Sequence, residues 1–301
     1  MLRTVVAGLD GSPESRAATE WAAREARLRG LPLKIVHVWE PVPEPMAQAP
    51  LLGAETQQHW TERVPREAAE AIRLRHPDMD LTVEQRTGDA AGTLLDAAED
   101  ADLLVLGSRG LSGIGGFMVG SVGLAVVARA ERPVVLVRAG EQAADEHEPD
   151  AEGLPSTDTA YRPVVLGLDA TSPDETLIRF AFEEAARRGA RLRVLHGWNL
   201  PPYYVYGLSV DIELHDEIVR QQAVLLADVL KPWRQKFPDA EVTEEVPAGS
   251  PGARLVDVSR EASLVVVGRR VRRRPFGAHI GPVTHAVLHH AVAPVAVVPH
   301  H

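Results

Sequence analysis

Cysteine is absent from the 301 residues. That excludes disulfides, thiolate metal sites and cysteine nucleophiles. The lack fits a reducing compartment, and a cytoplasmic location is the expectation. Aromatic residues amount to only 5%, so the core has to be built from Val, Leu, Ala and Ile. No apolar run approaches the roughly 18 residues needed to span a bilayer. The opening residues lack the basic segment and long apolar stretch of a signal peptide, so no membrane association is expected. A basic excess is lacking as well. The formal net charge is −10, which argues against a nucleic-acid binder of the usual cationic kind. Apolar residues, at 45%, are sufficient to fill the cores of two ordinary domains.

The chain repeats itself. Thr4 to Pro13, Thr-Val-Val-Ala-Gly-Leu-Asp-Gly-Ser-Pro, is matched by Pro163 to Pro173. Leu33 to Trp39 is matched by Leu192 to Trp198, Asp102 to Gly107 by Ser263 to Gly268, and Arg132 to Val137 by Ala293 to Val298. Four blocks in the same order mark an internal duplication. Between the halves, Glu141 to Ala160 holds seven acidic residues, two prolines and no Lys or Arg. That composition predicts a flexible, extended linker. The expected domains are therefore 1–140 and 161–301, joined by 141–160.

Each half reads as alternating strand and helix. Val5 to Leu9 is a continuous apolar run suited to a buried parallel strand. Ser12-Pro13 is an N-cap with Pro at the first helical position, followed by an Ala-rich helix ending near Gly30. Strands are predicted at Leu33 to Trp39, Leu81 to Gln85, Leu103 to Leu106 and Val134 to Val137. Helices are predicted at Gln57 to His76, Ala91 to Ala98 and Ser121 to Ala130, with Pro65 kinking or dividing the first of these. The alternation predicts α/β domains, each with a parallel sheet covered on both faces. Pro41 to Ala54 and Leu200 to Val210 are dissimilar loops expected beside any ligand.

The fourth strand of the first half leads into Gly107-Ser-Arg-Gly110, and Gly120-Ser121-Val122 follows. Gly107 suits a tight turn off the strand. Gly110 permits positive φ and close approach of backbone N–H groups to an anion. Ser121 stands where a helix should begin, so its N–H and hydroxyl suit a phosphate. Arg109 is the only cation in this loop. Asp10, after the first strand, faces this loop if strands one and four are neighbours. It could hold Mg²⁺, bond a ribose hydroxyl, or merely cap the turn Asp10-Gly11-Ser12.

This glycine frame, with the opening Gly8-Leu9-Asp10, resembles the universal stress protein family in its tandem two-domain form. The resemblance covers essentially the whole chain outside 141–160. It implies two Rossmann-like (HUP-type) domains, each with five parallel strands in the order 3-2-1-4-5. It implies ATP held by Gly107, Gly110, Gly120 and Ser121, with Gly8 and Arg109 alongside, Asp10 near the phosphates and Mg²⁺ with it. It further implies an adenine-side backbone contact near Val38, a phosphate contact from the Val122 N–H, and homodimers formed through the last strands. A stress-response role with a regulatory protein partner follows from the same resemblance.

The second half departs from the frame. Val271 stands at the position of Gly110, and a β-branched residue disfavours positive φ. Pro282 replaces Ser121, removing a hydroxyl and an N–H. Asp169 is kept. Lost or altered nucleotide binding is the expectation there, with the five arginines between Arg269 and Arg274 read as a solvated basic loop or an anion clamp. His37 and His196 recur at a strand end among apolar neighbours and read as buried, satisfied histidines. His285 and His289 share a helix face without a third metal ligand. His300-His301 is assigned no role. No nucleophile elbow, kinase signature or Walker A lysine is present. No catalytic residue is assigned, and weak ATP hydrolysis is the most that is expected. A slow nucleotide-dependent enzyme and a dimerisation scaffold without nucleotide are the competing classes.

Overall fold

The computed structural model describes residues 3–40, 54–108, 119–198, 212–271 and 280–301. The chain divides into two compact units, Met1–Ala143 and Ala144–His301. The first runs β1 (Val5–Leu9), α1 (Pro13–Arg29), β2 (Leu33–Trp39), α2 (Ala54–Arg75), β3 (Leu81–Thr87), α3 (Ala90–Ala97), β4 (Leu103–Ser108), α4 (Ser121–Arg129) and β5 (Val134–Arg138). The second runs β6 (Val164–Gly167), α5 (Glu175–Arg188), β7 (Leu192–Leu195), α6 (Ile212–Lys236), β8 (Val242–Glu245), α7 (Pro251–Val258), β9 (Leu264–Arg270), α8 (Pro282–His290) and β10 (Val295–His300).

Among the described residues, the pairings between named strands within a unit are all parallel. In the first unit β1 lies between β2 and β4, with Val5 opposite both Leu33 and Leu103. β3 joins beyond β2, and β5 beyond β4. The strands are thus ordered β3-β2-β1-β4-β5, and those of the second unit β8-β7-β6-β9-β10. A parallel strand needs a crossover helix to return the chain, which covers both sheet faces. Accordingly every residue of β1 is buried. The cores form around Trp21, Leu33, Ile35 and Leu103 in the first unit, and Leu166, Ile178, Phe182 and Leu192 in the second.

Local chemistry sets the helix ends. The Ser12 side chain accepts from Ser15 N at the start of α1, and Gly30 closes that helix at φ 64°, a left-handed cap that glycine adopts without Cβ strain. The second unit has one more residue in the matching turn, Asp169-Ala-Thr-Ser-Pro173. Its first helix begins later, capped by Asp174, whose Oδ1 accepts from Thr176 N at 2.8 Å and Leu177 N at 3.2 Å.

Two expectations need correction. Of the two outcomes expected at Pro65, a kink or a division, division does not occur: α2 is continuous from Ala54 to Arg75. Nor is 141–160 an extended linker. Residues Ala143–Glu146 form a 3₁₀ turn, Glu146 is buried, and His147 pairs with Tyr161 in an antiparallel bridge with their rings 4.0 Å apart. Glu148 N donates to Ala160 O at 2.9 Å, and Asp150 Oδ1 accepts from Glu152 N and Leu154 N. Composition registered the acidity but not that these carboxylates are used in turns. Among the described residues no helix is long and apolar enough to cross a membrane.

The second unit carries a fully buried ion pair, Glu184 with Arg188 one helical turn on, both side chains 0% exposed. Glu184 also accepts from Arg187 at 2.5 Å, so its removal takes a carboxylate from two guanidinium groups. Glu184→Ala should destabilise this unit by about 3–5 kcal/mol in denaturant titration; a change below about 1 kcal/mol would show that the pair contributes little.

Candidate functional site

A parallel sheet whose order reverses at β1 leaves a crevice at the carboxyl ends of β1 and β4, because the chains leaving these strands cross to opposite faces. A cavity of about 190 Å³ occupies that place in the first unit. Gly8 and Asp10 line it from β1 and the turn after it, Val38 from β2, Gly107 from β4, and Gly120, Ser121 and Val122 from the start of α4. Five elements of the chain therefore bring together every expected site residue that is described. Arg109 and Gly110 lie outside the described residues, as do the loops 41–53 and 199–211.

Sequence reasoning missed the other walls. Val36, Leu94 and Leu106 form an apolar side with Ala90, while Glu14 and Ser15 contribute from the first turn of α1. Ala90 and Leu94 belong to α3, which opens at the end of β3. Only the strand order shows that this helix roofs the crevice.

Gly107 has a different reason from the one expected. It does not turn the chain off the strand. It lies within β4, opposite Val137 of β5. A Cβ there would come within 2.6 Å of the backbone of both Glu14 and Ser15. Its role is to let the first turn of α1 close onto β4, and that approach forms one wall of the cavity.

Asp10 caps the turn, one of the three roles open to it from the sequence. Its Oδ1 accepts from Ser12 N at 2.9 Å and from Ser12 Oγ at 2.5 Å, an Asx turn that prepares the α1 N-cap. It also faces the cavity. Gly11 completes this turn at φ 85°, with a Cβ position 3.1 Å from Val64, so both conformation and space favour glycine there.

The start of α4 supplies donors. Gly120 precedes it at φ −63°, ψ 157°, and the first helical bond runs from Leu124 N to Gly120 O at 3.0 Å. The N–H groups of Ser121, Val122 and Gly123 precede that bond, and the helix dipole gives this end partial positive charge. All three residues line the cavity.

The recurrent histidines tie down the strand ends. His37 Nδ1 donates to Leu9 O at 2.7 Å, next to Asp10. In the second unit His196 Nδ1 lies 3.2 Å from both Leu168 O and Ala170 N, and Nε2 lies 3.0 Å from Gln222 Oε1. Both rings therefore contact the backbone at the end of the neighbouring strand. The His285 and His289 rings lie 4.3 Å apart. Burial lowers the His285 pKa, and His289 and His290 lower it further. Among the described residues no group of three or more His, Asp or Glu can hold a metal ion.

The second unit has its own cavity at the matching place, about 400 Å³, lined by Asp169, Gly268, Gly281, Val283 and Thr284 among others. Val271 extends the strand: its N–H donates to His300 O at 2.6 Å, beyond the last residue of β9. Gly281 leads into α8 at φ −64°, ψ 157°, the conformation of Gly120, but Pro282 follows without an N–H.

The Universal stress protein family model matches residues 1–138 and 160–299. A universal stress protein of Mycolicibacterium smegmatis is 32% identical over 304 residues, covering 98% of this chain and 96% of that protein. One from Mycobacterium tuberculosis is 33% identical over 314 residues, covering 97% and 96%. The crystal structure of a universal stress protein from Archaeoglobus fulgidus matches with a TM-score of 0.67 at 16% identity, over 98% of each chain; this last is a likeness of fold.

Gly107 tests the packing account of the site. Gly107→Ala should cost about 1–3 kcal/mol in denaturant titration, since backbone rather than a mobile side chain has to move. A neutral substitution would contradict the close approach of α1 to β4.

Proposed function

Because the chain belongs to the universal stress protein family, we propose that it is a cytoplasmic ATP-binding regulatory protein of the stress response. In this proposal the domain 1–140 holds the nucleotide and the domain 161–301 does not hold it in the same way. The convergence of Gly8, Asp10, Val38, Gly107, Gly120, Ser121 and Val122 on one cavity carries the proposal. The base would lie against Val36, Leu94 and Leu106, with backbone near Val38 along its edge. The phosphates would run out along the start of α4, where three N–H groups and the Ser121 hydroxyl offer donors to an anion. A cavity of about 190 Å³ suits the base and ribose end, leaving the phosphates at its mouth.

Asp10 would meet Mg²⁺ through a carboxylate oxygen while phosphate oxygens complete the coordination. When bound, the ion would neutralise phosphate charge beside Asp10 and Glu14. Among the described lining residues there is no Lys or Arg to stabilise a leaving phosphate. That favours holding ATP over turning it over, and regulation through occupancy over catalysis.

Gly120→Glu places a carboxylate at the start of α4, where an anion is proposed to sit. Gly120 has a φ of −63° that any residue adopts, and an acidic N-terminal residue suits the helix dipole, so the fold should persist. Calorimetry should show ATP affinity reduced at least about 30-fold, or ~2 kcal/mol; unchanged affinity would refute the site. Asp10→Asn keeps the acceptor for Ser12 and removes the charge. The Mg²⁺-dependent part of ATP affinity should disappear with little change in stability, and retention of that dependence would remove Asp10 from the metal role.

A further inference from the structure

We propose that His37 is a positioning residue of the first cavity: it fixes the peptide group from which Asp10 leaves the sheet, and through it the Mg²⁺-dependent part of nucleotide affinity. The role of Asp10 in this rests on the reading of the first cavity given above. His37 itself does not line the cavity. Val36 and Val38 do, and strand alternation sends the residue between them to the other face of the sheet. There it is 7% exposed. It stands opposite Leu9, the last residue of β1. Nδ1 lies 2.7 Å from Leu9 O, and a carbonyl only accepts, so Nδ1 carries the proton. Nε2 is buried and has no hydrogen-bond partner among the described residues. Burying an unpaired polar nitrogen costs stability, and an aliphatic residue would avoid that cost. The contact with Leu9 O is what the imidazole adds.

The duplication isolates that contact. His196 has the same place on β7. Its Nδ1 lies 3.2 Å from Leu168 O, the carbonyl ahead of Asp169, and its Nε2 3.0 Å from Gln222 Oε1 of α6. One unit thus ties the second ring nitrogen to a helix and the other gives it no hydrogen bond. Both place Nδ1 against the carbonyl that precedes the aspartate. Helix anchoring therefore does not account for His37, and the strand end does.

The C=O of Leu9 and the N–H of Asp10 belong to one planar peptide group. That group is held at both ends. His37 Nδ1 donates to its oxygen at 2.7 Å, and its N–H donates to Ser15 Oγ at 3.3 Å. The shorter of the two bonds is the one from His37. The orientation of this plane sets where the Asp10 side chain leaves the backbone. Mg²⁺ demands near-octahedral geometry with oxygen ligands at about 2.0–2.1 Å, so a small displacement of the carboxylate weakens its hold on the ion. The apolar wall of Val36, Leu94 and Leu106 does not depend on that plane. Loss of the His37 bond should therefore reach the metal and spare the base.

Three variants of the full chain test this. His37→Leu removes the donor. His37→Asn carries its amide nitrogen on Cγ, as histidine carries Nδ1, and is the rescue. His196→Leu makes the first change in the other unit and is the control. ATP affinity is measured by calorimetry with Mg²⁺ and with EDTA, and amide hydrogen exchange at Asp10 and Ser12 is followed without nucleotide. His37→Leu should reduce the gain in ATP affinity that Mg²⁺ brings at least about tenfold, and change affinity in EDTA by less than about twofold. Exchange at Asp10 and Ser12 should quicken at least about fivefold. His37→Asn should restore both, and His196→Leu should alter neither. An unchanged Mg²⁺ gain in His37→Leu overturns the proposal, as does equal loss with Mg²⁺ and with EDTA, or equal loss in the Leu and Asn variants. Should His37→Leu not fold, His37→Gln takes its place, since its amide nitrogen lies one bond further from the backbone; Gln and Asn variants that behave alike overturn the proposal. Absence of ATP binding to the unsubstituted chain, with exchange still responding to His37→Leu, is a different failure: it refutes the nucleotide reading, and the metal role of His37 with it.

Discussion

Parallel pairing is the constraint from which the rest of the molecule follows. A strand paired in parallel on both sides, as β1 is with β2 and β4, must be buried on both faces and followed by a crossover. The crossovers from β1 and β4 leave on opposite sides of the sheet, and a crevice opens between them at the carboxyl ends. Helix starts, with their unbonded N–H groups, point into the same space. The site thus follows from the topology, and side chains only decide what it will accept.

The two units show how far that decision can move while the backbone stays. Gly120 and Gly281 have the same conformation to within a degree, and α4 and α8 are both nine residues long. Yet one helix starts with serine and the other with proline. One extra residue after Asp169 shifts the start of α5, and Asp174 lines the second cavity where Glu14 lines the first. Val271 bonds to the backbone of β10. Each change is local: the helix start loses one N–H and one hydroxyl, two carboxylates line each cavity, and among the described lining residues Arg270 has no counterpart in the first.

Much of this was legible in the residues. Val5–Leu9 is a continuous apolar run and Leu33–Trp39 an apolar one broken by Lys34 and His37, and the strands have those limits. Ser12, Pro13 and Gly30 mark the ends of α1 because cap chemistry is written in single residues. Of the cavity residues, Asp10, Gly107, Gly120 and Ser121 were legible from their types at strand and helix ends, while Gly8, Val38 and Val122 came from the family resemblance. Gly107 was legible in position but not in cause, since its need arises from α1, distant in sequence. The apolar wall of Ala90 and Leu94 depends on strand order. Residues 141–160 form turns through pairings with Tyr161 and Ala160 that composition does not encode. His300 carried no signal at all, because its place beside Asp174 and Gly268 exists only once β10 pairs with β9.

The central claim is that one unit of the pair holds ATP. Its most direct test is to denature the purified chain and identify any nucleotide released, with its ratio to protein, followed by titration of the stripped, refolded protein with Mg-ATP. About one ATP per chain, bound or taken up, is the predicted result. Two per chain would contradict the asymmetry between the units. No released nucleotide together with no uptake of Mg-ATP would contradict the nucleotide site itself.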